Sequence, residues 1–226
     1  MEQEFLLSLA MIIGIDLILG GDNAIVIAMA SRNLPEDKRN KAIIWGTVIA
    51  IVLRAALTTG AVYLLRIPYV QLAGGLFLLH IAFQLIAGKA DSGGKIESHP
   101  SLWKAVRTIV AADVLMGLDN VIAVAGVANG HAGLVIIGLF FSIPIIIWGS
   151  RFILKLIDAF PALIYAGGAM LAFTAGKMIS HEDQLQTFFF HHPSFIEGVP
   201  YFASLVIVLG GLLHRFWPVG RKRPVK

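Results

Sequence analysis

Two short stretches hold most of the residues able to do chemistry inside an apolar chain. Asp16 to Ala28 reads D-L-I-L-G-G-D-N-A-I-V-I-A, and Asp113 to Ala125 reads D-V-L-M-G-L-D-N-V-I-A-V-A. Each copy has two acids six residues apart, a glycine four after the first acid and an asparagine directly after the second. The candidate residues are therefore Asp16, Asp22, Asn23, Asp113, Asp119 and Asn120. Each copy lies in a run long and apolar enough to cross a bilayer. Ionised carboxylates there are expensive and point to function. Asp and Asn oxygens, joined by backbone carbonyls, suit Mg²⁺, Ca²⁺ or Mn²⁺. The chain has no cysteine, which excludes thiolate metal sites, disulfides and thiol nucleophiles. Met116, inside the second copy, could add a thioether and tilt the choice towards Mn²⁺; packing is its plainer role.

On one continuous helix, residues six apart differ by about 240° in azimuth and about 9 Å in height. Asp16 and Asn23 would then share a face and Asp22 would point away. Bringing both acids to one ion needs a local break. Gly20-Gly21 offers one in the first copy and Gly117 a weaker one in the second. An unwound turn also frees carbonyls for a hard cation.

The elements that must position these groups follow from composition. The 226 residues are 57% hydrophobic and 14% charged, against about 25% charged in ordinary soluble domains. Apolar runs of roughly 20 residues each match the hydrocarbon core, and no stretch remains for a soluble domain. The net charge of +4 does not point to nucleic acid, because the basic residues fall between spans and at the C-terminus. The acidic start Met1-Glu2-Gln3-Glu4 is unlike a secretory signal, so the first run is expected to stay as a span. The expected fold is an all-α membrane protein with seven transmembrane helices, at about 5–30, 42–65, 68–87, 104–128, 133–156, 159–179 and 201–217. Pro35 and Asn40 help to break the chain after the first, and Gly88 to His99 reads as a linker.

The loop Ser31 to Lys41, the linker and the tail after Trp217 are basic, whereas His181 to Pro200 has no Lys or Arg. With seven spans the basic loops share one side, so the expectation is N-terminus outside and C-terminus cytoplasmic. The repeat extends beyond the motif. A spacing of 97 relates the two motifs and sets Arg54 against Arg151. After a four-residue deletion, Pro68 and Ala73-Gly74-Gly75 match Pro161 and Ala166-Gly167-Gly168. A three-span unit repeated in tandem is inverted the second time, a recurring transporter plan with its site at the midplane. One transmembrane transporter domain, 1–226, results: a first three-helix repeat over 5–87, a second, inverted one over 104–179 and an extra helix over 201–217.

Four carboxylates in hydrocarbon need compensation. A divalent ion offsets two charges; Arg54 and Arg151, or protons, could offset the rest, which suggests metal/proton antiport. The plainer readings are neutralisation for Arg54, snorkelling for Arg151 and a helix–helix hydrogen bond for His80. Lys177 reads as interfacial, and His181-Glu182-Asp183 with His191-His192 as a polar loop.

At the D-x3-G-x-D-N elements, Asp16, Gly20, Asp22 and Asn23 with Asp113, Gly117, Asp119 and Asn120, the chain resembles the TerC family of integral membrane proteins over about residues 5 to 217. The resemblance implies a seven-span fold related to the LysE-type transporters. It also implies Mn²⁺ efflux across the cell membrane, with the motif acids and asparagines as ligands and no resident cofactor. Nothing in these residues speaks to tellurite. Two rivals stand beside transport. An intramembrane aspartyl protease would want a Tyr-Asp setting and acids divided in labour; no tyrosine precedes any of the four acids. A non-transporting membrane assembly or metalation factor would bind a client instead.

Overall fold

The computed structural model describes residues 2–64, 67–87, 101–128, 132–182, 185 and 193–216. Among these residues it is all helix, with no strand. The elements in order are α1 (Glu2–Leu19), α2 (Gly21–Ser31), α3 (Glu36–Leu64), α4 (Val70–Ala87), α5 (Leu102–Ala128), α6 (Ala132–Ala159), α7 (Leu163–Ser180) and α8 (Pro193–Phe216). Among the described residues five helices are long and apolar enough to cross a membrane: those containing Glu36–Thr58, Val70–Ala87, Gly133–Ala159, Leu163–Ser180 and Ile196–His214. The pair Leu9–Ile18 and Gly21–Ser31, bent by 49°, makes a sixth if it is one broken span. The expected span 104–128 coincides with α5.

Several boundaries differ from the expectation for local reasons. Helix α3 begins at Glu36 rather than near residue 42. Arg39 N–H donates to the Pro35 carbonyl at 2.8 Å, closing a turn immediately after the proline. Glu36 and Asp37 lie in the first turn, where negative charge favours helix. Asn40 therefore continues the helix instead of breaking it. Helix α8 begins at Pro193, eight residues before the expected span, because proline is well suited to a first helical position.

Helix α3 packs along α5, and α1 and α2 pack against α6. Helix α4 packs along α7, and α8 covers α4 and α7. The α4–α7 crossing is close because glycines line both sides. A Cβ on Gly75 would lie 2.8 Å from the Ala175 carbonyl oxygen and 2.7 Å from Ile179. A Cβ on Gly168 would lie 2.2 Å from Ile86, with the Ala82 carbonyl oxygen at 3.8 Å. One apolar core joins Leu78, Ala82 and Ile86 of α4 to Leu171, Ala172 and Ala175 of α7 and reaches Ala112 and Met116 of α5. A second joins Ile12 of α1, Ile43 and Ile51 of α3, Ile109 of α5 and Leu139 of α6. Met116 thus packs in the first core.

Both ends of α4 are held by charges of the polarity its dipole favours. The Glu182 carboxylate, itself buried, accepts from Tyr69 N–H at 2.9 Å and Leu72 N–H at 3.2 Å. Tyr69 has φ 64°, so the chain enters α4 through a left-handed residue. At the other end Arg32 Nη2 donates to the Leu85 carbonyl at 2.9 Å. Glu182, read from sequence as part of a polar loop, is a buried helix cap. Asp183, His191 and His192 lie outside the described residues.

Candidate metal centre

The site is built where α1 breaks. Gly20 N–H donates to the Asp16 carbonyl at 2.8 Å and ends α1; Asn23 N–H donates to the Gly20 carbonyl at 3.0 Å and starts α2. A Cβ at Gly20 would sit 2.4 Å from the Asp16 carbonyl oxygen and 3.3 Å from Asn23 Nδ2. A residue with no side chain lets these groups close on one another. The break expected at Gly20-Gly21 is present, and Asp22 falls in the first turn of α2. Gly117 behaves differently. It sits inside an unbroken α5, and a Cβ there would lie 3.3 Å from Arg54 Nε. It is a groove for the arginine side chain rather than a hinge.

Arg54, on α3, is the centre of the cluster and is 2% exposed. Its Nη1 donates to Asp16 Oδ1 and its Nη2 to Asp113 Oδ1. Asp16 and Asp113 are both buried, so this is a buried three-residue ion pair across α1, α3 and α5. The second oxygen of each acid has no hydrogen-bond partner, nor does Arg54 Nε. Arg54 and Asp113 are also within electrostatic reach of half-buried Asp22. Asn23 is 2% exposed, and neither its oxygen nor its nitrogen has a partner. Asp22 Oδ1 is likewise buried and unpartnered. Buried polar groups are normally satisfied, so such orphans need an explanation.

The first acids of the two copies are therefore brought together, with Asp22 and Asn23 beside them at the break. Asp119 and Asn120 lie on α5; their side chains are outside the described residues. Arg151 does not mirror Arg54. It is exposed on α6, one position after buried Ser150. Sequence reasoning missed Thr47, which is 2% exposed with an unpartnered hydroxyl. It lies seven residues before Arg54, about two turns along the same face, and that spacing was the available signal. His80 forms no contact with this cluster; it is exposed on α4 and bonded to Gln84 at 3.0 Å. Lys177 is exposed, with its ammonium over the Phe173 ring. Among the described residues no three His, Asp or Glu side chains converge as a ready-made metal cage.

Comparison with known proteins decides the family. The model of the integral membrane protein TerC family matches residues 1–222. The chain belongs to the TerC family. Within it, the chain is 50% identical over 215 residues to the uncharacterized membrane protein YjbE of Bacillus subtilis (strain 168), covering 95% of this chain and 98% of that one. It is 25% identical over 198 residues to YkoY of the same organism, covering 77% of this chain and 61% of the relative. It is 22% identical over 183 residues to the inner membrane protein YoaE of Escherichia coli (strain K12), covering 73% and 35%. No solved structure matches. As a TerC family member with several apolar helices, the chain is a multi-pass membrane protein.

Proposed function

We propose that this TerC family protein transports a divalent metal cation, Mn²⁺ first among Mn²⁺, Ca²⁺ and Mg²⁺, outward across the cell membrane. The observation that carries the reading is the joining of Asp16 and Asp113, equivalent acids of the two motifs, by one buried arginine beside the unpartnered oxygens of Asp22 and Asn23. A purely structural ion pair needs neither the second motif acid nor the orphaned Asn23. Three described carboxylates against one guanidinium leave two negative charges when all are ionised, which is the charge of one divalent cation. Asp119 adds a further charge and gives a proton a place in the cycle.

In this reading Asp22, Asn23, Asp119 and Asn120 supply the oxygens that exchange with the cation. The free oxygens of Asp16 and Asp113 complete its shell. Arg54 keeps one charge of that first pair compensated throughout. Its own positive charge repels a cation that is not held by the opposite acids.

The inverted repeat belongs to the same proposal. Gly75 meets Ala175 and Ile179, while Gly168 meets Ala82 and Ile86; each residue of the first set has its partner in the other at a constant spacing of 93. The packing of α3 on α5 has its counterpart in α1 and α2 on α6. Both patterns support two three-span units related by an approximate two-fold; the reading of seven spans with an outside N-terminus and a cytoplasmic C-terminus rests on the basic loops. An aspartyl dyad would need two carboxylates sharing a proton; with Arg54 between Asp16 and Asp113, that arrangement fits poorly.

The test is cellular manganese content and manganese sensitivity in cells lacking the protein. Loss should raise both, and the wild-type chain should restore them while Asp22→Asn does not. Normal manganese in the deletion strain would overturn the assignment.

A further inference from the structure

We propose that α4 is a self-association surface through which two copies of this chain form a dimer in the membrane. Helix α4, over Val70–Ala87, is one of the five helices apolar enough to span. Along it Ala73, Phe77, His80 and Gln84 are all exposed in the single chain. Their spacing of four, three and four residues puts them on one stripe with a 3.5-residue period, the seam of a left-handed helix pair. His80 lies about 2 Å along the axis from the middle of the helix and Gln84 about 8 Å. Both are therefore at hydrocarbon depth if α4 spans.

Polar side chains at that depth cost free energy when they face lipid. Gln84 Nε2 and His80 Nε2 bond to one another at 3.0 Å. That contact uses one of the amide's groups; its carbonyl oxygen and remaining N–H still need partners. A second copy related by a two-fold axis along the membrane normal brings Gln84 opposite its own equivalent. A primary amide both donates and accepts, so the two close reciprocal hydrogen bonds, as an isologous interface requires. Ala73 lets the backbones approach, in keeping with membrane interfaces built from small and hydrogen-bonding residues. On α7 the stripe Ala166, Met170, Phe173 and Lys177 has the same spacing, but Phe173 packs against Tyr201 of α8 and the Lys177 ammonium donates without accepting, so it cannot pair with its own equivalent. On α6, Phe140 and Trp148, and on α8, Leu205 and Leu209, ask for nothing that lipid does not supply.

The chain has no native cysteine, so single cysteines report contacts directly. Ala73→Cys and Phe77→Cys would be oxidised in native membranes beside the controls Phe140→Cys and Leu209→Cys. The expected result is a dimer-sized, reducible band for both α4 variants and little for the controls. Adding Gln84→Leu should lower that band by about three- to tenfold, the range of one interhelical hydrogen bond. Cross-linking on α4 no stronger than the controls, or insensitive to Gln84→Leu, overturns the proposal. Step counting of photobleaching on the singly labelled full chain in a bilayer is the second readout. Two steps support the dimer and one step overturns it.

Discussion

Asp16 and Asp113 meet at the two ends of one guanidinium, each accepting a hydrogen bond from a different terminal nitrogen of Arg54. They are the first acids of two motifs 97 residues apart, and they arrive on different helices. The two motifs therefore share one buried arginine, and the behaviour of Arg54 follows from that.

Removing the arginine leaves two buried carboxylates uncompensated. Breaking one side of a buried ion pair costs about 3–5 kcal/mol, so Arg54→Met should lower the thermal unfolding temperature sharply in detergent. Adding Asp16→Asn and Asp113→Asn to Arg54→Met removes the charges that need compensation. That triple variant should regain most of the lost stability while failing to transport. A triple variant as unstable as Arg54→Met would mean that the arginine stabilises by packing instead of charge.

Gly20 and Gly21 are adjacent but should differ on substitution. A Cβ at Gly20 would strike the Asp16 carbonyl oxygen at 2.4 Å, whereas at Gly21 nothing lies within 4 Å. Gly20→Ala should abolish manganese flux in reconstituted vesicles. Gly21→Ala should retain it. Equal losses would show that conformational freedom of the pair, and not the close approach at Gly20, is what matters.

Asn23 is buried with both ends of its amide unpartnered. Asn23→Leu keeps the branched side-chain skeleton, removes the amide oxygen and nitrogen and needs no hydrogen-bond partner. It should not lower thermal stability by more than about 1 kcal/mol, since a buried amide without partners carries a desolvation cost that leucine does not. Flux at low manganese concentration should fall severely. A large loss of stability with normal flux would make Asn23 a structural residue.

Glu182 caps α4 through Tyr69 and Leu72 N–H. Glu182→Ala should cost about 1–2 kcal/mol, as losing a helix cap does, and should speed hydrogen exchange at Tyr69 to Leu72. Manganese flux should persist under conditions where the variant is folded. Selective loss of flux with unchanged exchange would instead put Glu182 on the ion path.

Much of this was legible in the sequence because hydrocarbon is an unforgiving solvent. Apolar runs bounded by Pro, Gly and charge gave the order of the helices, and acids inside those runs named themselves as candidates. The Gly20 break was readable because two glycines sit directly between two acids. Other features depend on tertiary direction, which spacing does not encode. Arg54 and Arg151 match at the 97-residue spacing of the motifs, yet one is buried between acids and the other is exposed. Gly117 matches Gly20 by position, but its missing side chain accommodates Arg54 and its helix continues unbroken through it. Glu182 looks like any loop acid until its carboxylate is seen against the start of α4. Ends were misjudged where acids or proline let a helix begin early, as at Glu36 and Pro193.

The central claim is that the two motif copies form one transport site, so neither works alone. Initial manganese flux into proteoliposomes, measured for wild type, Asp22→Asn, Asp119→Asn and the double variant at matched reconstitution, tests it most directly. Each single variant should fall to the level of protein-free vesicles, and the double should be no worse, the non-additivity of residues acting as a unit. Two singles that each keep substantial flux, with losses that multiply in the double, would contradict the account.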